Sequence, residues 1–269
     1  LSISLPQTMR HTHLSEHRFV RGQPETGIEL AEDLDRIATT YGPKTIAACF
    51  VEPIAGSTGV LVPPKGYLQR LREICTTYGI LLVFDEVICG FGRTGSAFAA
   101  QEFGVTPDVM TMAKALTNGA QPMGAVAVKE EIYETVVGAG AAEAVELFHG
   151  YTYSGHPAAC AAGIATLKIF ESDKLFTRSK KLSSYFLDKI FQLQDCTLVA
   201  DIRGYGMLAG IDLVPDVAAG ARGNYIQKKL FDSGLHLKAT GDALIVAPPF
   251  VITEAQINEM AAKLRAVLT

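Results

Sequence analysis

The 269-residue sequence contains no tryptophan, has only 8% aromatic residues and shows no cluster of basic residues. Its 24 basic and 28 acidic side chains are mixed along the chain and give a formal net charge of −4. Proteins that bind nucleic acids usually concentrate basic residues on one surface, and those that bind single strands add stacking aromatic rings. We therefore expect no nucleic-acid partner.

Long apolar runs and paired cysteines are also missing. No stretch approaches the roughly 20 apolar residues of a membrane helix, and the first residues lack the basic and apolar regions of a signal peptide. We expect a cytoplasmic protein with reduced thiols and no membrane partner. The five cysteines are scattered, without the spacing of a zinc site: Cys49, Cys75, Cys89, Cys160 and Cys196.

Histidines cluster only near the start of the chain, at His11, His13 and His17. Neither a fourth ligand nor an element that would fix their geometry is visible, and structural metal sites need both. We expect an interface loop here and no metal.

What the first half does contain is an alternation of amphipathic and apolar segments. Glu29–Tyr41 and Lys65–Tyr78 have helical spacing. The apolar runs between and after them, rich in β-branched residues, predict strands that are buried on both faces of a mainly parallel sheet. These runs are Thr45–Val51, Ile80–Phe84, Val109–Met112 and Ala125–Val128.

The second half predicts a smaller α+β domain. A long helix should begin at about Pro157, since proline suits the first helical turn. We expect residues 1–165 to form part of a large domain and residues 166–269 a small one. The remaining predicted elements are a helix at Lys174–Leu193, a strand pair around Thr197–Val214, a helix near Asn224–Ser233, short strands to Val246 and a closing helix from Glu254.

A carboxylate pair, Asp85 and Glu86, ends the apolar run GILLVFDEV. Ligands of open α/β sheets bind at such strand ends. An apolar strand that ends in Asp-Glu also resembles the Mg²⁺-binding strand of an ATPase. That interpretation requires a phosphate-binding loop upstream, and the candidate sequence GPKT at Gly42–Thr45 has the wrong spacing for one. GFGRTG at Gly90–Gly95 matches a dinucleotide-binding pattern but lies too close to the next strand. We interpret its glycines as allowing a tight active-site loop close to a neighbouring segment.

A lysine follows the next predicted strand, in DVMTMAKALTNGA. If the strands are parallel neighbours, Lys114 and Asp85 face one crevice. From its position alone, Lys114 is about as well explained by an exposed lysine that ends a strand as by a lysine in a binding site. Pyridoxal phosphate needs a lysine for its aldehyde and an anion opposite its ring nitrogen. The pair therefore predicts this cofactor.

Around these residues the chain resembles the class III aminotransferases, which are fold-type-I, aspartate aminotransferase-like enzymes dependent on pyridoxal phosphate. The resemblance runs nearly end to end, and it is greatest to the ω-amino acid:pyruvate, or β-alanine:pyruvate, branch. The motifs that carry it, in family order, are VEPIAGSTGVLVPPKGYL, ILLVFDEVICGFGRTGSAF, PDVMTMAKALTNGAQPMGAV, HGYTYSGHPAACAAG, DIRGYGMLAGIDL and APPFVIT.

The resemblance implies a role for each matching residue. Lys114 corresponds to the lysine that forms the Schiff base, and Asp85 to the partner of the pyridine nitrogen. Val87, with Ile88 beside it, corresponds to the residue packed against the cofactor ring. Thr152 corresponds to the threonine that reaches the phosphate of a neighbouring subunit's cofactor, which implies a homodimer or a dimer of dimers.

Three positions bear on the substrate. Relatives acting on ornithine or γ-aminobutyrate carry an acid where Ser57 stands and an arginine where Ile245 stands, so both residues weigh against that branch. Lys238 stands where many amine:pyruvate relatives have an arginine that clamps the substrate carboxylate. It keeps the charge but loses the bidentate fork. The resemblance thus implies transfer of an amino group from an ω-amino acid or amine to pyruvate by a ping-pong mechanism.

The family's N-terminal portion, with the glycine-serine turn that cradles the phosphate, does not match any part of this sequence. We therefore expect half a cofactor site and incomplete competence from these residues alone. Two alternatives stay open: a truncated or non-catalytic relative, and a racemase or aminomutase on the same scaffold.

Overall fold

The computed structural model describes residues 18–140 and 152–269, in which the predicted alternation of strands and helices is present. Most predicted elements are confirmed, four of them with shorter bounds. The strands are β1 (Ala48–Val51), β2 (Leu81–Asp85), β3 (Val109–Met112), β4 (Ala125–Val128), β5 (Val199–Tyr205), β6 (Leu208–Leu213), β7 (Lys238–Thr240) and β8 (Ala243–Val246).

The helices follow the amphipathic segments, with two that the sequence patterns did not predict, α3 and α4. The closing helix begins with a capping box, in which Thr253 and Gln256 satisfy each other's backbone N–H groups. The helices are α1 (Glu32–Tyr41), α2 (Tyr67–Tyr78), α3 (Ala99–Glu102), α4 (Glu130–Gly138), α5 (Pro157–Ser172), α6 (Leu175–Phe191), α7 (Ala221–Asp232) and α8 (Glu254–Leu268).

The first sheet has the order β1-β2-β3-β4. β1, β2 and β3 are parallel, as predicted, whereas β4 runs antiparallel to β3. The expected burial on both faces is confirmed for β2, where the successive residues Val83 and Phe84 are both buried, but it is wrong for β1 and β4. Phe50 on β1 is 58% exposed and Val126 on β4 is 63% exposed, because the helices that cover this sheet pack on its other face, against Val51 and Phe84.

Asp108, the residue before β3, fixes the relative positions of three strands. Its side chain accepts hydrogen bonds from the backbone N–H of Leu82 on β2 at 2.7 Å and from Arg72 at 2.6 Å. It also pairs with Lys129, just after β4, at 2.7 Å. The carboxylate is 7% exposed, so these partners offset the cost of burying its charge.

The second sheet, β5-β6-β8-β7, is antiparallel throughout. Its core comes mainly from the second half of the sequence, with Phe186 and Ile190 of α6 and Leu264 of α8 almost fully buried. Phe91 and Leu116 join the same core from the first half. The two halves therefore share packed surface, and the boundary at residue 165 stays a prediction.

A buried arginine ties the two sheets together. Arg203 on β5 is 1% exposed and bonds both oxygens of Asp212 on β6 at 2.8 Å, with Asp201 at 3.2 Å. The same guanidinium donates to the carbonyls of Gly59 and Val60 in the first half. Burial by itself lowers the pKa of Arg203, but the bonds and charges of both aspartates outweigh it and raise the pKa.

Among residues 18–140 and 152–269, no helix is long and apolar enough to cross a membrane. The same residues contain no group of side chains that could hold a metal ion. His11, His13 and His17 lie outside the described residues.

We predict that Asp108→Asn destabilises the chain in a pH-dependent way. Burial raises the pKa of Asp108, but Lys129, Arg72 and the Leu82 N–H together lower it below its usual value. An acid with a lowered folded-state pKa stabilises fully above its unfolded pKa of about 4 and loses this contribution as the pH falls further. Urea unfolding at pH 7 should show a loss of about 3 kcal/mol, typical of a broken buried ion pair.

The difference between Asp108→Asn and the unsubstituted chain should shrink when the unfolding is repeated below pH 4. Asp232→Asn is the matched control, because Asp232 pairs with Lys228 on the surface and exposed pairs contribute little. A loss that is the same at every pH would contradict the ionic role of Asp108.

Candidate active site

Three neighbouring strands end in charged residues at one edge of the first sheet. β1 is followed by Glu52, and β2 ends at Asp85. Val51 pairs with Phe84 and Asp85 with Thr111, so Glu52 and Asp85 follow directly aligned positions. Lys114 comes three residues beyond Thr111. The parallel pairing thus places these strand ends at one edge of the sheet, and the shared crevice of Asp85 and Lys114 stays a prediction.

Lys114 adopts an unusual backbone conformation. Its φ is +43°, in the left-handed region, which costs a residue with a side chain roughly 1–2 kcal/mol. It begins a short 3-10 turn, Lys114–Leu116, and Leu116 is buried behind it. Such strain persists where the surroundings hold it, often at functional sites.

The two acids of the Asp-Glu pair have different surroundings. Asp85 accepts a hydrogen bond from the Val87 N–H at 3.0 Å, which orients its carboxylate. Glu86 is fully buried and accepts from the backbone N–H groups of Ala99 and Ala100, at the start of α3. Burial raises the pKa of Glu86. Glu86 is therefore a structural cap, and Asp85 is the acid available to a ligand.

The sequence analysis did not identify Glu52 as a site residue. Its side chain accepts the Gly56 N–H at 3.0 Å. Burial, with a smaller effect of the Asp85 charge, raises its pKa, while the Gly56 N–H and the Lys114 charge act in the opposite direction. The charges of both predicted catalytic residues, Asp85 and Lys114, therefore affect the pKa of Glu52. Its position after an apolar strand, like that of Asp85, was the signal available in the sequence.

A cavity of about 500 Å³ opens beside these strand ends. Val87 and Ile88 give it an apolar side, and Lys114 brings an amine into it. Ser57 and Ile245, the two positions that bear on the substrate branch, also face it. The side chains relevant to chemistry or specificity that line the cavity are Ser57, Val87, Ile88, Arg93, Lys114, Lys238 and Ile245.

Lys238 and Thr152 have different relations to this cavity. Lys238, at the start of β7, lies between it and a neighbouring cavity of about 620 Å³ that contains none of Lys114, Val87 or Ile88. Thr152 is exposed in a turn before α5 and does not line the Lys114 cavity of its own chain. The roles implied for both residues stay predictions.

The glycine-rich loop Gly90–Gly95 packs tightly against the second half of the chain, as expected. A Cβ on Gly92 would lie 3.0 Å from the Phe176 ring. On the opposing side, Gly206 in the β5–β6 turn approaches the loop so closely that its Cβ would lie 2.4 Å from the Arg93 carbonyl oxygen. The loop therefore forms one wall of the cavity and the contact between the halves.

These residues have the chemistry that the aldehyde and the ring nitrogen of pyridoxal phosphate require. Lys114 supplies an amine inside the cavity, and the apolar side chains of Val87 and Ile88 offer a surface for an aromatic ring. Asp85 does not line the cavity, but it accepts a hydrogen bond from the backbone of Val87, which does. No turn that would cradle a phosphate group was recognised in the sequence. The described residues thus fit the aldehyde and ring-nitrogen ends of this cofactor.

Comparison with known proteins agrees with this geometry. The family model described as aminotransferase class-III matches residues 4–268. The chain is 50% identical over 260 residues to an omega-aminotransferase of Caulobacter vibrioides, covering 96% of this chain and 59% of that protein. It is 47% identical over 243 residues to an omega-amino acid–pyruvate aminotransferase of Pseudomonas putida, covering 89% and 54%.

Solved structures give the same result. An omega transaminase of Pseudomonas jessenii in complex with PMP superposes with a TM-score of 0.84 at 33% identity, covering 95% of this chain and 58% of that one. The chain thus spans somewhat more than half the length of the relatives it matches.

We predict that Gly206→Ala separates the glycine-rich loop from the β5–β6 turn. The added methyl group would overlap the Arg93 carbonyl, which is backbone and has little freedom to move. Gly241→Ala is the matched control, since Gly241 turns between β7 and β8 with φ +57°, against +59° at Gly206, and its Cβ would meet nothing within 4 Å.

Both substitutions place alanine at nearly the same left-handed φ, so the backbone strain is the same in the two variants. The difference between their free energies of unfolding in urea should therefore report the overlap of the added methyl group with the Arg93 carbonyl. We expect Gly206→Ala to be less stable than Gly241→Ala by about 2 kcal/mol, a typical cost of overpacking. Equal stabilities would show that the loop contact contributes nothing.

Proposed function

This chain belongs to the class-III aminotransferase family, and we propose that it is the lysine-bearing part of a pyridoxal-phosphate-dependent aminotransferase. The enzyme transfers an amino group from an ω-amino acid such as β-alanine, or from a simple amine, to pyruvate. One observation carries the proposal: Lys114 lies in a cavity beside the strand end that carries Asp85, with Val87 and Ile88 on an adjoining wall.

Each residue has a distinct task in this proposal. When bound, pyridoxal phosphate supplies the electron sink for the bond that breaks at the substrate carbon. Lys114 would hold the aldehyde of the cofactor, and its free amine would take the proton from the carbon that carries the amino group of the donor. Asp85 keeps the ring nitrogen protonated through its charge. Val87 and Ile88 exclude water from the ring and fix its plane.

The two half-reactions of a ping-pong scheme use the same residues in opposite directions. The donor leaves as a carbonyl compound, and pyruvate leaves as alanine. In the first half Lys114 would take the proton from the amino-bearing carbon of the donor, and in the second half it would deliver a proton to Cα of the alanine that forms. A single base therefore serves both halves, which explains why one cavity suffices.

Several observations favour ω-amino acids and amines as donors. Relatives of Pseudomonas with 47% identity are named omega-amino acid–pyruvate and beta-alanine–pyruvate aminotransferases. Ser57 and Ile245 line the cavity where ornithine- and γ-aminobutyrate-specific relatives would carry an acid and an arginine. Lys238 also lines it and supplies a positive charge near which a substrate carboxylate can bind.

The proposal includes a homodimer or a dimer of dimers with shared sites, in the cytoplasm. Thr152 is exposed before α5 and lies away from its own cavity. A hydroxyl near a helix N-terminus is well placed to bind an anion. Both facts support a role for Thr152 at the cofactor phosphate of a partner subunit.

We predict that Lys114→Ala abolishes both covalent attachment of pyridoxal phosphate and turnover. The test uses a chimera in which this chain replaces the matching segment of the Caulobacter vibrioides relative, which provides the remaining length. After borohydride reduction, peptide mass spectrometry should locate the cofactor on Lys114. Asp85→Ala should retain the cofactor yet lower kcat by at least about a hundredfold, within the range attributed to acid–base chemistry.

Lys65→Ala is the control, because Lys65 pairs with Glu25 on the surface and does not line the cavity. Normal turnover in Lys114→Ala would disprove the assignment. Alanine formation from pyruvate separates the alternatives, since a racemase or aminomutase consumes no keto acid and a non-catalytic relative forms no product.

A further inference from the structure

A third cation lines the Lys114 cavity, and the sequence analysis gave it no role. Arg93, in the glycine-rich loop, lines this cavity together with Lys114 and Lys238. It is part-buried, and burial lowers the pKa of Arg93 to about 10. The guanidinium thus remains charged at neutral pH in a poorly hydrated position.

The surroundings hold this guanidinium in one orientation. Its Nη1 donates to the carbonyl oxygens of Met207 at 2.9 Å and Pro248 at 2.8 Å. Its Cζ lies 4.5 Å from the centre of the Phe250 ring. These contacts come from two separate segments of the second half, so Arg93 is fixed before any ligand binds.

The charge of Arg93 has no counterion in the part of the chain that the structure describes. Each of its hydrogen bonds goes to a neutral carbonyl through Nη1, and no carboxylate of residues 18–140 and 152–269 pairs with it. The Nε–Nη2 edge meets no acceptor among these residues. That edge presents two parallel N–H groups, the arrangement that binds a carboxylate in bidentate fashion.

We propose that Arg93 is the fixed anchor for the carboxylate of the amino donor and of the keto acid. This inference rests on the proposed transaminase function. A carboxylate in the cavity would neutralise the guanidinium where hydration is poor, and there a charge-assisted pair is stronger than on the surface. A simple amine offers no such compensation, so Arg93 favours ω-amino acids over plain amines.

Lys238 differs from Arg93 in both rigidity and chemistry. Its side chain is exposed at the start of a three-residue strand, between two cavities. A lysine acts as a mobile point charge and cannot bind a carboxylate through a planar fork. Lys238 therefore adds positive charge to the cavity, whereas Arg93 determines where the substrate carboxylate binds.

The test compares two donors in the chimera with the Caulobacter vibrioides relative. β-Alanine carries a carboxylate and propylamine does not, while their amino ends are alike. We expect Arg93→Met to lower the ratio of kcat/KM for β-alanine to that for propylamine at least tenfold, mainly through the KM of β-alanine. Arg93→Lys should lower the ratio less, and Lys238→Met should also lower it less than Arg93→Met.

Arg178→Met is the matched control for a structural role. Arg178 donates to the carbonyls of Phe250, Val251 and Ile252 and so holds the same segment as Arg93, but it does not line the cavity. Its substitution should leave the donor ratio within about twofold. An equal fall in the ratio for Arg178→Met would overturn the proposal, as would a larger fall for Lys238→Met.

A measurement without turnover distinguishes failure of this inference from failure of the proposed function. In the chimera without cofactor, 3-hydroxypropionate should raise the melting temperature, and 1,3-propanediol should not. Arg93→Met should abolish this difference, and Arg178→Met should retain it. If the unsubstituted chimera transaminates no donor, the proposed function fails, and the melting experiment still decides whether Arg93 binds a carboxylate.

Discussion

The buried Arg203 cluster is the interaction on which the rest of the structure depends. One guanidinium joins two aspartates of the second sheet to the carbonyls of Gly59 and Val60 in the first half. Because its charge is almost fully removed from water, every one of these partners is needed to offset desolvation. The loop that contains Gly59 also carries Ser57 into the cavity, and Thr240 donates to the Ser57 carbonyl at 2.9 Å. The cavity wall thus depends on the second sheet.

The charges of the site are arranged by a second constraint, the parallel pairing of β1, β2 and β3. Parallel strands end at the same edge, so residues that follow them in sequence become neighbours in space. Asp108 maintains this pairing from the opposite end of β3, through Leu82, Arg72 and Lys129. The acid that stabilises the sheet and the lysine that does the proposed chemistry therefore lie at the two ends of one strand.

The junction between the halves combines a rigid loop with a part-buried charge that has no carboxylate partner among the described residues. The tight approach of Gly206 leaves the glycine-rich loop little freedom, and Ser179 donates to the Gly92 carbonyl at 2.6 Å. A charged side chain on a rigid loop loses little conformational entropy when it binds a ligand. This is the physical reason why Arg93, and not a residue on a flexible segment, suits the role of anchor.

Local patterns were enough to predict the strand ends at Asp85 and Lys114, the start of α5 at Pro157 and the order of elements, because apolar runs and turn residues act over a few neighbouring positions. Those patterns did not predict the antiparallel β4, the exposed face around Phe50 or the closeness of Glu52 to Asp85. They also did not predict the carbonyl partners of Arg93, which lie 114 and 155 residues further along the chain. Those features depend on contacts between segments that are far apart in the sequence, and such contacts override local patterns.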